Sequence, residues 1–237
     1  MIASIVGLLL RAGGAGWRMA NVVRPGWGGT GTKLWQWARK SAEPFGDLCC
    51  ALLFERSLVE ASPLVANRAG ASIRLAAEDD LDMICGLYAG DAWLRLDSRE
   101  AYGDRLRRGE RCYLAFVDGA IAHVNWTCFS WGDALPGRPL RLKPGEVYTT
   151  DAFTPADFRG KGIHALVLAR MLADARSGGA RHAYTLGQLD RRDAHKGLLM
   201  LRWQETGRVV YFQRHGRSDA TVLWRQGNTA PLFERGT

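Results

Sequence analysis

The chain has 237 residues, 47% hydrophobic and 24% charged, which describes soluble globular protein and excludes collagen-like or coiled-coil architecture. Its 32 Lys and Arg against 24 Asp and Glu give a net charge of +8, which favours an anionic ligand, nucleic acid or an acidic membrane surface without choosing among them. No apolar run reaches the roughly 20 residues of a membrane-crossing helix. The 5 cysteines lack metal-ligand spacing, so neither a disulfide framework nor a metal site is expected, and the setting reads as a reducing cytoplasm.

Ile2 to Leu10 is a short apolar run closed by Arg11, with no basic region before it. It reads as a helix that packs on the body of the protein or makes peripheral membrane contact, rather than as a signal peptide. The glycine-rich stretch Gly26 to Lys33 resembles a phosphate loop only superficially, because Thr32 separates Lys33 from the last glycine; it reads as a linker. Residues 33–43 suit a short amphipathic helix halted near Pro44, Cys49 to Leu58 a strand, and Ser62 to Gly70 a connection. The main domain is expected over residues 71–237, after an N-terminal extension of residues 1–70.

Ser72 to Ala76 reads as a strand, and Leu81, Ile84, Leu87 and Tyr88 form a helical stripe behind the acidic Glu78-Asp79-Asp80. A second helix is expected through Arg99 to Arg108. Cys112 to Val117 and Ala120 to Cys128 form a hairpin about Asp118-Gly119, where glycine accepts a positive φ cheaply. Gly132 to Gly145 reads as a Gly- and Pro-rich loop, Glu146 to Phe153 as a strand, and Gly162 to Ala175 as a helix ended by Ser177-Gly178-Gly179. A strand over His182 to Leu189, a helix over Asp193 to Leu201, and strands over Arg208 to Arg214 and Ala220 to Trp224 complete a mixed α/β order without repeats.

The segment Phe158-Arg159-Gly160-Lys161-Gly162-Ile163-His164 lies between a strand and a helix. Glycines let the backbone approach a ligand, the first helical turn offers unpaired N–H groups to an anion, and Arg159 and Lys161 add charge. A diphosphate fits that chemistry. The segment resembles the acyl-CoA signature of the GNAT-type N-acetyltransferase family, which is Gln or Arg, two residues, Gly, one residue, then Gly or Ala. Arg159, Gly162 and His164 occupy those positions, with His164 standing where the family has a small residue. The order of elements over residues 71–225 matches the family as well.

The resemblance implies the GNAT acyltransferase fold: a central mixed, mostly antiparallel sheet with a splayed parallel strand pair and helices on both faces. It implies acetyl-CoA or another acyl-CoA as co-substrate, no metal, and a small-molecule amine as acceptor. Arg159, Gly160, Lys161, Gly162, Ile163 and His164 would bind the cofactor's diphosphate, and the backbone near Phe153 and Thr154 its pantetheine. Alternation along Glu146 to Phe153 sets Thr149, Asp151 and Phe153 on one face and Glu146, Tyr148, Thr150 and Ala152 on the other, unless a bulge exchanges them.

Attack on a thioester needs a neutral amine, so a carboxylate near the gap is the expected base, with Asp151 and Glu146 as candidates. Tyr211, Tyr184 and His195 are candidates for protonating the departing thiolate, since no tyrosine matches the family's usual position. The family's Asn before the second helix is absent here. The region before the domain is similar to GNAT-type proteins associated with envelope polysaccharide synthesis, which suggests an amino-sugar acceptor. The alternative from the same residues is a GNAT-fold acyl-CoA-binding or regulatory module without turnover. A nucleic-acid binder has only the net charge behind it, with no long basic run, and is not expected.

Overall fold

The computed structural model describes residues 30–89, 98–189 and 192–233; the apolar run Ile2–Leu10 and the glycines up to Gly29 lie outside the described residues. Thr30 to Lys33, expected as linker, open helix α1 (Thr30–Ala42). Strand β1 (Gly46–Ser57) follows, with every residue from Leu48 to Phe54 buried. A strand apolar on both faces has to be covered on both faces, so it belongs inside a sheet.

That requirement decides the domain organisation. The remaining strands are β2 (Ser72–Leu75), β3 (Arg111–Val117), β4 (Ala120–Cys128), β5 (Trp131–Leu135), β6 (Arg138–Arg141), β7 (Glu146–Phe153), β8 (His182–Gln188), β9 (Gln204–Arg214) and β10 (Ala220–Gly227). Seven of these join β1 in one eight-stranded sheet, in the order β10-β9-β1-β8-β7-β4-β3-β2. β1 therefore lies between β8 and β9, and the expected boundary at residue 70 does not separate two folded units: residues 46–57 are a central strand of the main sheet. All pairings are antiparallel except β7 with β8.

The expected loop over residues 132–145 contains the β5–β6 hairpin, closed by Pro136-Gly137 with Gly137 at φ 69°. Its Gly and Pro residues mark a turn and its flanks rather than an unstructured connection.

Helices α2 (Leu81–Tyr88) and α3 (Arg99–Arg107) cover β3 and β4 on one face through Leu81, Ile84, Tyr88 and Tyr102. On the same face the β5–β6 hairpin and the short α6 (Ala230–Phe233) cover β1 and β9 through Leu135, Leu140 and Leu232. β7 spans the two clusters, giving Tyr148 to the second and Phe153 to the first. The opposite face carries α1, α4 (Ile163–Ser177) and α5 (Arg192–Met200), packed through Trp35, Val167, Leu168, Met171 and Leu198. Among the described residues, no helix is long and apolar enough to cross a membrane.

Candidate functional site

The site starts from a parallel pair that stops pairing partway. β7 and β8 are in register from Glu146 opposite His182 to Thr149 opposite Thr185, where the Thr185 hydroxyl donates to the Thr149 carbonyl at 2.8 Å. Beyond that point β7 continues to Phe153 and β8 to Gln188 without a partner in each other. β8 stays in place because β1 pairs with it through Ala51 opposite Gln188, and the Leu189 N–H donates to the Cys50 carbonyl at 3.0 Å. β7 in turn stays paired with β4 as far as Phe153, opposite Val124, so β7 departs from β8 while each strand keeps its other neighbour.

A bulge accompanies the departure. Val124 of β4 faces Phe153 and Trp126 faces Thr150, so β7 holds one residue more than its partner there. Asp151 sits in the bulge at φ 52°, a left-handed conformation that costs a non-glycine residue about 1 kcal/mol and that Asp tolerates better than most. The bulge exchanges faces as the alternation allowed. Phe153 turns onto the α2–α3 side, buried with its ring 6.1 Å from that of Tyr88, so its contribution to a ligand in the gap is backbone.

Ten residues beyond Phe153 the chain enters α4 at Ile163. Gly160 and Gly162 adopt φ 75° and 77°, and a Cβ on either would meet nothing within 4 Å, so the turn is open on its outer side. Gly162 caps α4, and the first N–H with an intrahelical acceptor is that of Leu166, to the Gly162 carbonyl at 3.1 Å. The amides before it are the unpaired donors of a helix N-terminus. Arg159 is exposed and folds back to donate from Nε to the Thr154 carbonyl at 2.9 Å, while the Lys161 ammonium lies 5.2 Å from the centre of the Phe158 ring.

His164 does not fill the turn. Its Nδ1 lies 3.4 Å from Nε2 of the buried His123, whose Nδ1 lies 2.7 Å from the Thr154 hydroxyl. The ring packs so closely on Gly197 of α5 that a Cβ there would come within 2.9 Å of it. Burial lowers the His164 pKa to about 4; burial and then the neighbouring ring hold that of His123 well below its ordinary value. Both imidazoles are neutral at pH 7 and join the end of β7 to the start of α4.

On the α2–α3 side, Asp151 meets a buried charge cluster. Arg105 Nη1 is 2.7 Å from Asp151 Oδ2 and its Nε is 2.8 Å from Glu110 Oε2, while its guanidinium lies 4.1 Å from the centre of the Trp126 ring. Arg108 reaches the other Glu110 oxygen at 2.9 Å, and the Cys128 thiol donates to Glu110 at 3.2 Å. Burial alone would lower the Arg105 pKa, but Asp151 and Glu110 outweigh it and raise it. The Tyr88 hydroxyl donates to the Asp151 carbonyl at 2.6 Å, and burial, then Asp151, push its pKa well up, so the phenol stays protonated.

No family model and no curated protein matches the sequence. Solved structures do. A GNAT-family protein of Novosphingobium aromaticivorans superposes with a TM-score of 0.53 at 14% identity, over 78% of this chain and 67% of that one. An acetyltransferase of the GNAT family from Colwellia psychrerythraea gives 0.54 at 14% identity, over 78% and 63%. The chain has the GNAT acetyltransferase fold. It spans about two-thirds of the length of these neighbours.

Within this GNAT fold the expected residues fall into two groups. Phe153, Thr154 and Arg159 to His164 come together along the free end of β7 and the start of α4, with Asp151 beside them. Glu146 does not join them: it sits at the paired end of β7, where Oε2 accepts from the Lys143 N–H at 2.8 Å and Oε1 from the Tyr184 hydroxyl at 3.3 Å. Its carboxylate closes the turn into the strand. Tyr211 lies on β9, beyond β1 and β8 from the gap, and is buried with Leu53 and Tyr184. His195 packs against Phe54 and over Gly187, two residues past the last pair of β8, and so borders the parting from the α5 side.

Sequence reasoning placed Tyr88 only in a helical stripe and singled out neither Arg105 nor Glu110. The one available signal was the charged run Arg105-Leu106-Arg107-Arg108-Gly109-Glu110 at a helix end, which reads equally well as a solvated face.

Proposed function

We propose that the protein transfers an acyl group, most simply acetyl, from acyl-CoA to the primary amine of a small molecule by direct attack in a ternary complex. The observation that carries this reading is the parting of β7 from β8 beyond Thr149, joined to a glycine-opened helix start a few residues later.

Backbone amides before Leu166, with Arg159 and Lys161, bind the cofactor's diphosphate. The unpaired edge of β7 near Phe153 and Thr154 pairs with the pantetheine amides as with an added strand, and an N–H at the bulge polarises the thioester carbonyl, a contribution of about 3 kcal/mol where such donors have been removed. The amine approaches from the α2–α3 side, where Asp151 is the carboxylate nearest the bulge and takes its proton directly or through water. The amine nitrogen bonds to the carbonyl carbon, the carbon–sulfur bond breaks, and CoA departs as thiolate. Proximity and amide donors suffice without a covalent acyl-enzyme. An amino sugar heads the acceptor classes to test, on the resemblance of the region before residue 71.

Calorimetric titration with acetyl-CoA, followed by CoA-release assays over amino sugars, polyamines, amino acids and peptides, tests the reading. Binding with release on one acceptor class is expected; no binding overturns it, and binding without release on any amine favours a module without turnover.

A further inference from the structure

Resting on the acyl-CoA reading for its consequence but not for its geometry, we propose that Tyr88 and Arg105 are positioning residues that hold β7 apart from β8 through Asp151. The helices on the acceptor side thereby set the opening of the cofactor gap.

Continuing the β7–β8 register past Thr149 and Thr185 would bring Asp151 beside Gly187. Pairing there would need the Asp151 backbone. Its carbonyl is instead occupied by the Tyr88 hydroxyl at 2.6 Å, on α2. Tyr88 is fully buried, with its ring between those of Tyr102 at 5.7 Å and Phe153 at 6.1 Å, so the hydroxyl cannot follow a strand moving towards β8. Arg105 adds a second hold at 2.7 Å on the carboxylate and is itself fixed by Glu110 and by the Trp126 ring.

The backbone conformation agrees. Among the described residues three non-glycines have positive φ: Asp118 in a hairpin turn, Arg202 just past a helix end, and Asp151 inside a strand. Turns and helix ends favour that conformation by themselves, whereas a strand residue keeps it only when its surroundings impose it. The surroundings here are the bulge against β4, with Tyr88 on the carbonyl and Arg105 on the carboxylate. With β8 paired to β1 and β7 to β4 as far as Phe153, this hold adds to the pairing that keeps the two strands apart.

The test compares Tyr88→Phe, which deletes one oxygen, in the natural chain and in an Asp151→Gly background, where glycine adopts φ near +50° without strain and needs less holding. Two quantities are read on the full chain: amide hydrogen exchange over residues 150–154 and 186–188 without ligand, and acetyl-CoA affinity by calorimetry. Tyr88→Phe is expected to slow exchange over 186–188 as pairing extends, and to weaken acetyl-CoA about five- to tenfold, the effect of one hydrogen bond. In the Asp151→Gly background the same change is expected to cost about twofold or less. Exchange unchanged by Tyr88→Phe, or an equal loss in both backgrounds, overturns the proposal. If the natural chain binds no acetyl-CoA, the acyl-CoA reading fails and exchange alone decides whether Tyr88 holds the strands apart.

Discussion

The two sides of the β7 gap are built from different materials. The side towards α4 is backbone: two glycines at positive φ, a helix start, and a strand edge that leaves β8. The side facing α2 and α3 is side chains drawn from separate segments: Tyr88 and Arg105 hold Asp151 at the bulge, and Glu110, joined by Cys128, stands behind Arg105. A backbone site constrains a few positions within one short segment. A side-chain site leaves no local pattern, because its members meet only after folding.

Substitutions that separate the two sides sharpen this contrast. The largest effect is expected from Gly162→Val, which forces a β-branched residue into φ near +77° and fills the open side of the turn. Acetyl-CoA affinity should fall about 100-fold or more by calorimetry, with the chain still folded by circular dichroism. Arg105→Met comes next, on stability: it leaves the Glu110 carboxylate buried without its main partner, and unfolding in urea should show a loss of about 3 kcal/mol. Adding Glu110→Gln should recover part of that loss; no recovery would mean that Arg105 acts through packing on Trp126 instead.

A smaller effect is expected at the histidine pair. His164 has its pKa lowered from 6.5 to about 4 when folded, so below pH 6.5 the unfolded chain binds more protons than the folded one. The stability it contributes is complete above pH 6.5 and is lost as pH falls towards 4. His164→Asn should flatten the urea midpoint across that window. Because the imidazole points inward to His123 and Gly197, the same variant should keep acetyl-CoA affinity within about threefold. A large loss of affinity would place the ring in the turn after all.

Most elements of the fold were legible because each has a local cause: alternating strands, the Asp118-Gly119 turn, and glycines ahead of an apolar helix. The place of β1 was not, although its apolar run from Leu48 to Phe54 already demanded cover on both faces. Which strands flank it is a long-range choice, made here by β8 and β9, more than 120 residues further along the chain. Glu146 and Asp151 look alike as strand carboxylates, and what separates them is where pairing with β8 ends and where the bulge falls. Neither has a signature in spacing. Trp126 and Cys128 likewise gain their partners, Arg105 and Glu110, only when α3 and the turn after it are laid against β4.

The central claim, that the parted strand and the glycine-opened helix start form one acyl-CoA site, is tested most directly by titrating acetyl-CoA into the natural chain and into the Arg159→Glu, Gly162→Val double variant. Saturable one-to-one binding by the natural chain, abolished in a double variant that remains folded, is the predicted result. No binding to the natural chain, or equal affinity in the two proteins, would contradict it.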